Sequence, residues 1–223
     1  LISPFLKAFL LSSFLFIVGV VIGILVSNSK IIHLNDLMAQ VKTDIDNTEL
    51  QFLILDSMHS NKTCMYLMNS ASKVGLETYE MGKQVEGYEK SKSISLSDFN
   101  QLKMKYTSLL IRTWLYIEKI RTTCEGNYST VLYFFGSKTC PNCGNQGMVL
   151  TFLKEKLNEN LLVYAIDGDL DLAPVEVLKD TFTVNKYPTL IINGEKYEGF
   201  FDSKELTEIL CSDNKNLSIC NVS

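Results

Sequence analysis

Histidine is almost missing from this chain, with two in 223 residues, His33 and His59. They stand far apart without clustered carboxylates, so a histidine-built metal centre is not expected. Net charge is only −4 and no basic run occurs, which removes support for nucleic-acid binding. Tryptophan is limited to Trp114, whose simplest place is in a core. No proline falls within 31–124, and a proline-free stretch can hold long uninterrupted helices.

Apolar residues, by contrast, are concentrated at the amino end. From Ala8 to Val26 the chain is uncharged and nearly all apolar, close to the ~20 residues that span a bilayer as a helix. That length favours an uncleaved anchor over a signal-peptide core of roughly 7–15 residues. Cleavage near Ser27-Asn28-Ser29 is the alternative. Lys7 and Lys30 flank the block, and one charge at each end does not orient it. The cysteines at 64, 124, 140, 143, 211 and 220 all lie beyond it, as do the sequons at Asn61, Asn127, Asn216 and Asn221. An even cysteine number suits an exported, disulfide-bearing chain. The expectation is a single-pass membrane protein, anchored by residues 1–30, with residues 31–223 on the extracytoplasmic side.

Residues 31–124 read as a helical domain. Leu34, Met38, Val41, Ile45, Phe52 and Leu55 form one apolar stripe at helical steps. A second helix runs from about Cys64 to Lys90, with the small residues Cys64, Ala71, Gly75 and Gly82 allowing close approach of a neighbour. A third opens at Ser95-Leu96-Ser97-Asp98, a capping-box-like signature, and carries Phe99, Leu102, Tyr106, Leu109, Leu110, Ile117 and Ile120. Cys64 begins one helix and Cys124 ends the next. In an antiparallel pair those ends are neighbours, so a disulfide between them is geometrically natural; two free buried thiols are the alternative.

The chemistry concentrates in Lys138-Thr139-Cys140-Pro141-Asn142-Cys143. The β-branched and aromatic run from Thr130 to Phe135 precedes it as a strand, and a helix over Met148–Leu157 follows. A C-x-x-C between strand and helix sets Cys140 at the helix N-terminus, where the dipole lowers a thiol pKa. Lys138 adds to that effect. Zinc is disfavoured because two further ligands at workable spacing are missing. Thiol–disulfide exchange needs no cofactor, since the dithiol itself carries the electrons. Downstream come a strand over Leu161–Ile166, the acidic loop Asp167-Gly168-Asp169 and a helix from Val175 to about Phe182. Then follow Tyr187-Pro188-Thr189, a strand, the hairpin dipeptide Asn193-Gly194, and a helix opened by Asp202-Ser203-Lys204-Glu205.

On these motifs residues 130–210 resemble the thioredoxin-fold family, about a third of the chain. The resemblance implies that Cys140 is the exposed nucleophile and Cys143 the buried resolving thiol. It also implies that Pro188 is a cis-proline facing the dithiol, with Tyr187 beside the bound peptide, and that Lys138, Pro141 and Asn142 support the site. Thr139 stands where thioredoxins proper have Trp, and Pro141-Asn142 is more like glutaredoxins and disulfide-oxidase enzymes. Phe134 occupies the place of the family's buried proton-moving Asp, leaving water or another carboxylate for that task. Cys211 and Cys220 read as a structural disulfide clamping the tail.

The expected fold class is α+α/β: an N-terminal transmembrane helix, a helical bundle or hairpin over 31–124, then a thioredoxin-like α/β sandwich over 125–223. The expected function is that of a membrane-anchored, extracytoplasmic thiol–disulfide oxidoreductase, as oxidase, isomerase or reductase, with cysteine-containing protein substrates and a membrane redox partner. The alternative is a non-catalytic membrane-anchored interaction protein whose thioredoxin-like domain is structural.

Overall fold

The computed structural model of the chain describes residues 5, 9, 11–25, 50–55, 57, 62–91, 95–124, 126–138 and 140–221. A helical hairpin, α1 (Thr63–Ser91) and α2 (Leu96–Thr123), leads into β1 (Ser129–Phe135). It is followed by α3 (Cys143–Leu157), β2 (Leu161–Asp167), α4 (Ala173–Thr181), β3 (Thr189–Ile192), β4 (Glu195–Glu198) and α5 (Ser203–Asp213). α2 and α5 start where a side chain satisfies an otherwise unpaired N–H. Ser95 accepts from the Asp98 N–H at the start of α2, and Asp202 with Glu205 forms a reciprocal capping box on α5.

β1 is the pivot of a four-stranded sheet in the order β2-β1-β3-β4. It runs parallel to β2, with Ser129 opposite Leu161 and Phe135 opposite Asp167, and antiparallel to β3, with Val131 opposite Ile192. Asn193 and Gly194, both at positive φ (51° and 97°), make the tight turn into β4. β1 is apolar on both faces because both are covered. Val131 and Tyr133 meet Leu150, Leu153 and Leu157 of α3 and Leu206 and Leu210 of α5. Leu132 and Phe134 meet Val175 and Leu178 of α4 together with Leu110, Ile111 and Trp114 of α2.

α2 therefore has two working faces. Leu102, Leu109, Tyr116 and Ile120 pack on Leu67, Ala71, Val74 and Met81 of α1. The sheet-facing set lies about 100–200° further round the helix, as 3.6 residues per turn requires. Polar contacts fasten that second face at two places. Lys103 Nζ is 3.1 Å from Asp167 Oδ2 at the end of β2. Glu118 accepts from the Thr130 hydroxyl and pairs with Arg121 at 2.7 Å, and Arg121 donates to the Asn193 carbonyl at 3.1 Å. Between the two hairpin helices the buried hydroxyls of Thr78 and Thr113 are 2.8 Å apart. Gly82 lies against the Tyr106 ring, whereas among the described residues nothing stands within 4 Å of a Cβ placed on Gly75. Cys64 and Cys124 are bonded at the hairpin's open end, with Cα atoms 5.8 Å apart.

Two expectations are corrected. Among the described residues no helix is long and apolar enough to cross a membrane, which overturns the N-terminal transmembrane helix and the single-pass location with 31–223 on the extracytoplasmic side. The balance of the fold differs as well, since the chain is mostly helical with a small mixed sheet. Leu34, Met38, Val41, Ile45, His33 and His59 lie outside the described residues, while Phe52 and Leu55 pack on the hairpin core, Phe52 edge-on to Tyr116 at 5.1 Å.

Trp114 is 6% exposed and stands edge-on to Phe182, so truncating it opens a cavity between α2 and the sheet. Trp114→Ala is expected to cost about 3–5 kcal/mol, read from urea unfolding followed by far-UV circular dichroism. A change within measurement error would show that α2 does not close this core.

Candidate active site

The chain leaves β1 at Phe135 and enters α3 through the two cysteines. Cys143 is the first residue of α3 and is disulfide-bonded to Cys140, with Cα atoms 5.4 Å apart. Burial separates the pair, because Cys143 is 7% exposed and Cys140 is half-buried. Pro141, Asn142 and Lys138 are exposed, and Thr139 lies outside the described residues. The first turn of α3 carries no acidic residue, and Asn142 makes no side-chain cap bond. Nothing on the helix therefore offsets its positive end, which favours a thiolate at Cys140 when the pair is reduced.

Two tethers fix the start of α3. The Tyr133 hydroxyl donates to the Cys143 carbonyl at 2.6 Å. Gln146, fully buried, makes a reciprocal pair with the Phe201 backbone: Nε2 donates to its carbonyl at 3.3 Å and Oε1 accepts from its N–H at 2.9 Å. The buried amide thus satisfies both backbone groups of a loop that would otherwise leave them unpaired.

Phe134 pairs with Thr189, so Pro188 sits at the carboxyl end of β1, where the dithiol loop departs. The Tyr187-Pro188 bond is cis. Tyr187 and Cys140 pack against the same core cluster. The Tyr187 ring crosses two glycines: a Cβ at Gly136 would stand 2.7 Å from it, and one at Gly168 would overlap its hydroxyl. Burial pushes the Tyr187 phenol up, against the pull of Lys179. Lys138, Cys140, Pro141, Asn142, Cys143, Tyr187 and Pro188 thus gather at one end of the sheet. Cys64 and Cys124 stand on the hairpin, and Cys211 is bonded to Cys220 where α5 meets the tail.

Phe134 is fully buried on the face shared with α2, and no base occupies its place. Carboxylates stand instead at the end of β2 and in the turn after it, the acidic loop to which the sequence assigns no role. Asp169 Oδ2 accepts the Lys138 backbone N–H at 2.9 Å, and Asp167 Oδ1 accepts the Asp169 N–H at 3.1 Å. The available signal was an Asp-Gly-Asp directly after an apolar strand, at the strand end where open α/β sheets place their sites. Among the described residues no group of three or more His, Cys, Asp and Glu side chains is placed to hold a metal ion.

Burial pushes the phenols of Tyr133 and Tyr128 up to about 12 from an ordinary 10. The folded state therefore holds these protons more tightly than the unfolded chain. Their contribution is complete below pH 10 and is lost as pH rises to about 12. The urea midpoint is expected to fall over that interval, and to fall less in Tyr133→Phe. An identical fall in the variant would remove Tyr133 as a cause.

No family model matches the chain, and no curated protein matches it. Solved structures do. One, described as the structure of a malarial protein, is 25% identical over 39% of this chain and 97% of its own, with a TM-score of 0.34. Another is the germline-specific thioredoxin Deadhead of Drosophila melanogaster, 21% identical over 44% of this chain and 92% of its own, with a TM-score of 0.33. The likeness to a thioredoxin is weak and covers less than half of this chain.

Proposed function

We propose that the protein is a thiol–disulfide oxidoreductase with a thioredoxin-like fold, working through the Cys140–Cys143 dithiol on cysteine-containing proteins. The observation that carries this reading is the unequal burial of a bonded pair at the start of α3, beside Tyr187-Pro188. An outer sulfur can be reached by a partner, while an inner one is reserved for its neighbour.

In the reduced protein the Cys140 thiolate attacks a substrate disulfide. One substrate sulfur leaves as a thiolate and a Cys140–substrate mixed disulfide forms. Cys143 loses its proton and attacks the Cys140 sulfur, expelling the second substrate thiolate and closing Cys140–Cys143. Two electrons pass to the substrate, and the two cysteine protons end on its thiols. The same steps in reverse oxidise a dithiol substrate. Tyr187 and Pro188 flank the bound strand, and exposed Lys138, Pro141 and Asn142 border the approach to Cys140.

Cys140→Ser is expected to abolish exchange with a protein disulfide, whereas Cys143→Ser accumulates mixed disulfides that a reductant releases. Equal trapping by both variants would refute the division of roles. The pair is also expected to have a reduction potential above about −300 mV, the region below which structural disulfides generally lie. A lower potential with no exchange would make the pair structural.

A further inference from the structure

The hairpin reaches the segment that precedes the dithiol through a run of polar contacts. Lys103 of α2 holds Asp167 at 3.1 Å, Asp167 accepts the Asp169 N–H at 3.1 Å, and Asp169 accepts the Lys138 N–H at 2.9 Å, two residues before Cys140. Asp167 is 5% exposed, and a carboxylate that deeply buried requires such partners. The turn between the two aspartates is fixed on its other sides too. The Gly168 N–H donates to the Phe135 carbonyl at 2.8 Å, Lys179 Nζ donates to the Gly168 carbonyl at 3.3 Å, and the Tyr187 ring covers Gly168. The Asp169 carboxylate is thereby presented to the segment that carries Cys140. Its charge opposes a thiolate there, so its place is accounted for by the hydrogen bond it accepts.

We propose that Lys103 and Asp169 are positioning residues for the dithiol: the hairpin, acting through the turn 167–169, fixes the backbone that presents Cys140 at the start of α3. This rests on the reading of Cys140–Cys143 as an exchange dithiol. The assignment gives α2 a second role besides closing the core, since the sheet-facing side of the helix carries both Trp114 and Lys103.

The test compares Asp169→Asn, which keeps an acceptor oxygen and drops the charge, with Asp169→Ala, which drops both. Two quantities are read on full-length folded protein: the rate of Cys140 alkylation by iodoacetamide after reduction, and the equilibrium constant of the dithiol with glutathione. The expected result is an alkylation rate at least about threefold lower in the Ala variant than in the Asn variant, the scale of one net hydrogen bond. The glutathione equilibrium should shift toward the disulfide by a similar factor. Lys103→Gln should move both readings in the same direction, and Lys103→Arg should restore them. Ala and Asn variants that agree would overturn the role of Asp169. A folded Lys103→Gln protein with wild-type readings would overturn the link to the hairpin. Both readings belong to the two thiols themselves, so a wild-type protein inert toward protein disulfides would refute the proposed function and still leave this comparison decisive.

Discussion

The packing of Leu110, Ile111 and Trp114 against the sheet is the contact on which the remaining structure depends. β1 carries large apolar residues on both sides, so each face must be roofed. On one side α3 and α5 do this together. On the other, the short α4 contributes Val175 and Leu178, and the rest of the cover comes from a helix that precedes the sheet in the chain. Each of the three α2 side chains, once buried, is worth roughly 1.5–3 kcal/mol of transfer free energy, comparable in sum to the net stability of many domains. The same packing fixes where Lys103 and Glu118 fall along the strands.

Position at the dithiol is controlled from two directions. Within the sheet layer, Tyr133 and Gln146 hold the first turn of α3 from beneath and from the Phe201 loop. Across the strand ends, Asp169 holds the segment before Cys140, and Tyr187 closes over the two glycines that make room for it. Both sets act on backbone atoms. The start of α3 and the segment before Cys140 are thus held through their backbone by hydrogen bonds with neighbouring side chains.

Local chemistry was legible in the sequence. The helix starts at Ser95 and Asp202 and the turn at Asn193-Gly194 follow from residues that satisfy their own backbone. The cysteine pair and Tyr187-Pro188 were legible as candidates because adjacent residues carry those signals. Long-range relations were not. Sequence names Leu102, Leu109, Leu110, Ile117 and Ile120 on α2 without dividing them between two faces. The helix's second face was hidden because Thr107, Thr113 and Arg112 interleave with Ile111 and Trp114, and because its partner strands come later in the chain. Asp167 and Asp169 looked like ordinary loop acids, since only the fold brings Lys103 and Lys138 to them. The apolar block at 8–26 misled for another reason: composition states what surroundings a segment would tolerate, whereas among the described residues no helix is long and apolar enough to cross a membrane.

Chain order gives the covering helix a further consequence. The hairpin is complete at Cys124, whereas the strand surface that its second face covers is finished only when β3 ends at Ile192. At about 5–20 residues per second of synthesis, several seconds separate the two events. During that interval the residues that cover Leu110, Ile111 and Trp114 are added one element at a time, from β1 through β2 and α4 to β3. The apolar face of the hairpin is thus complete in the chain before the sheet that roofs it.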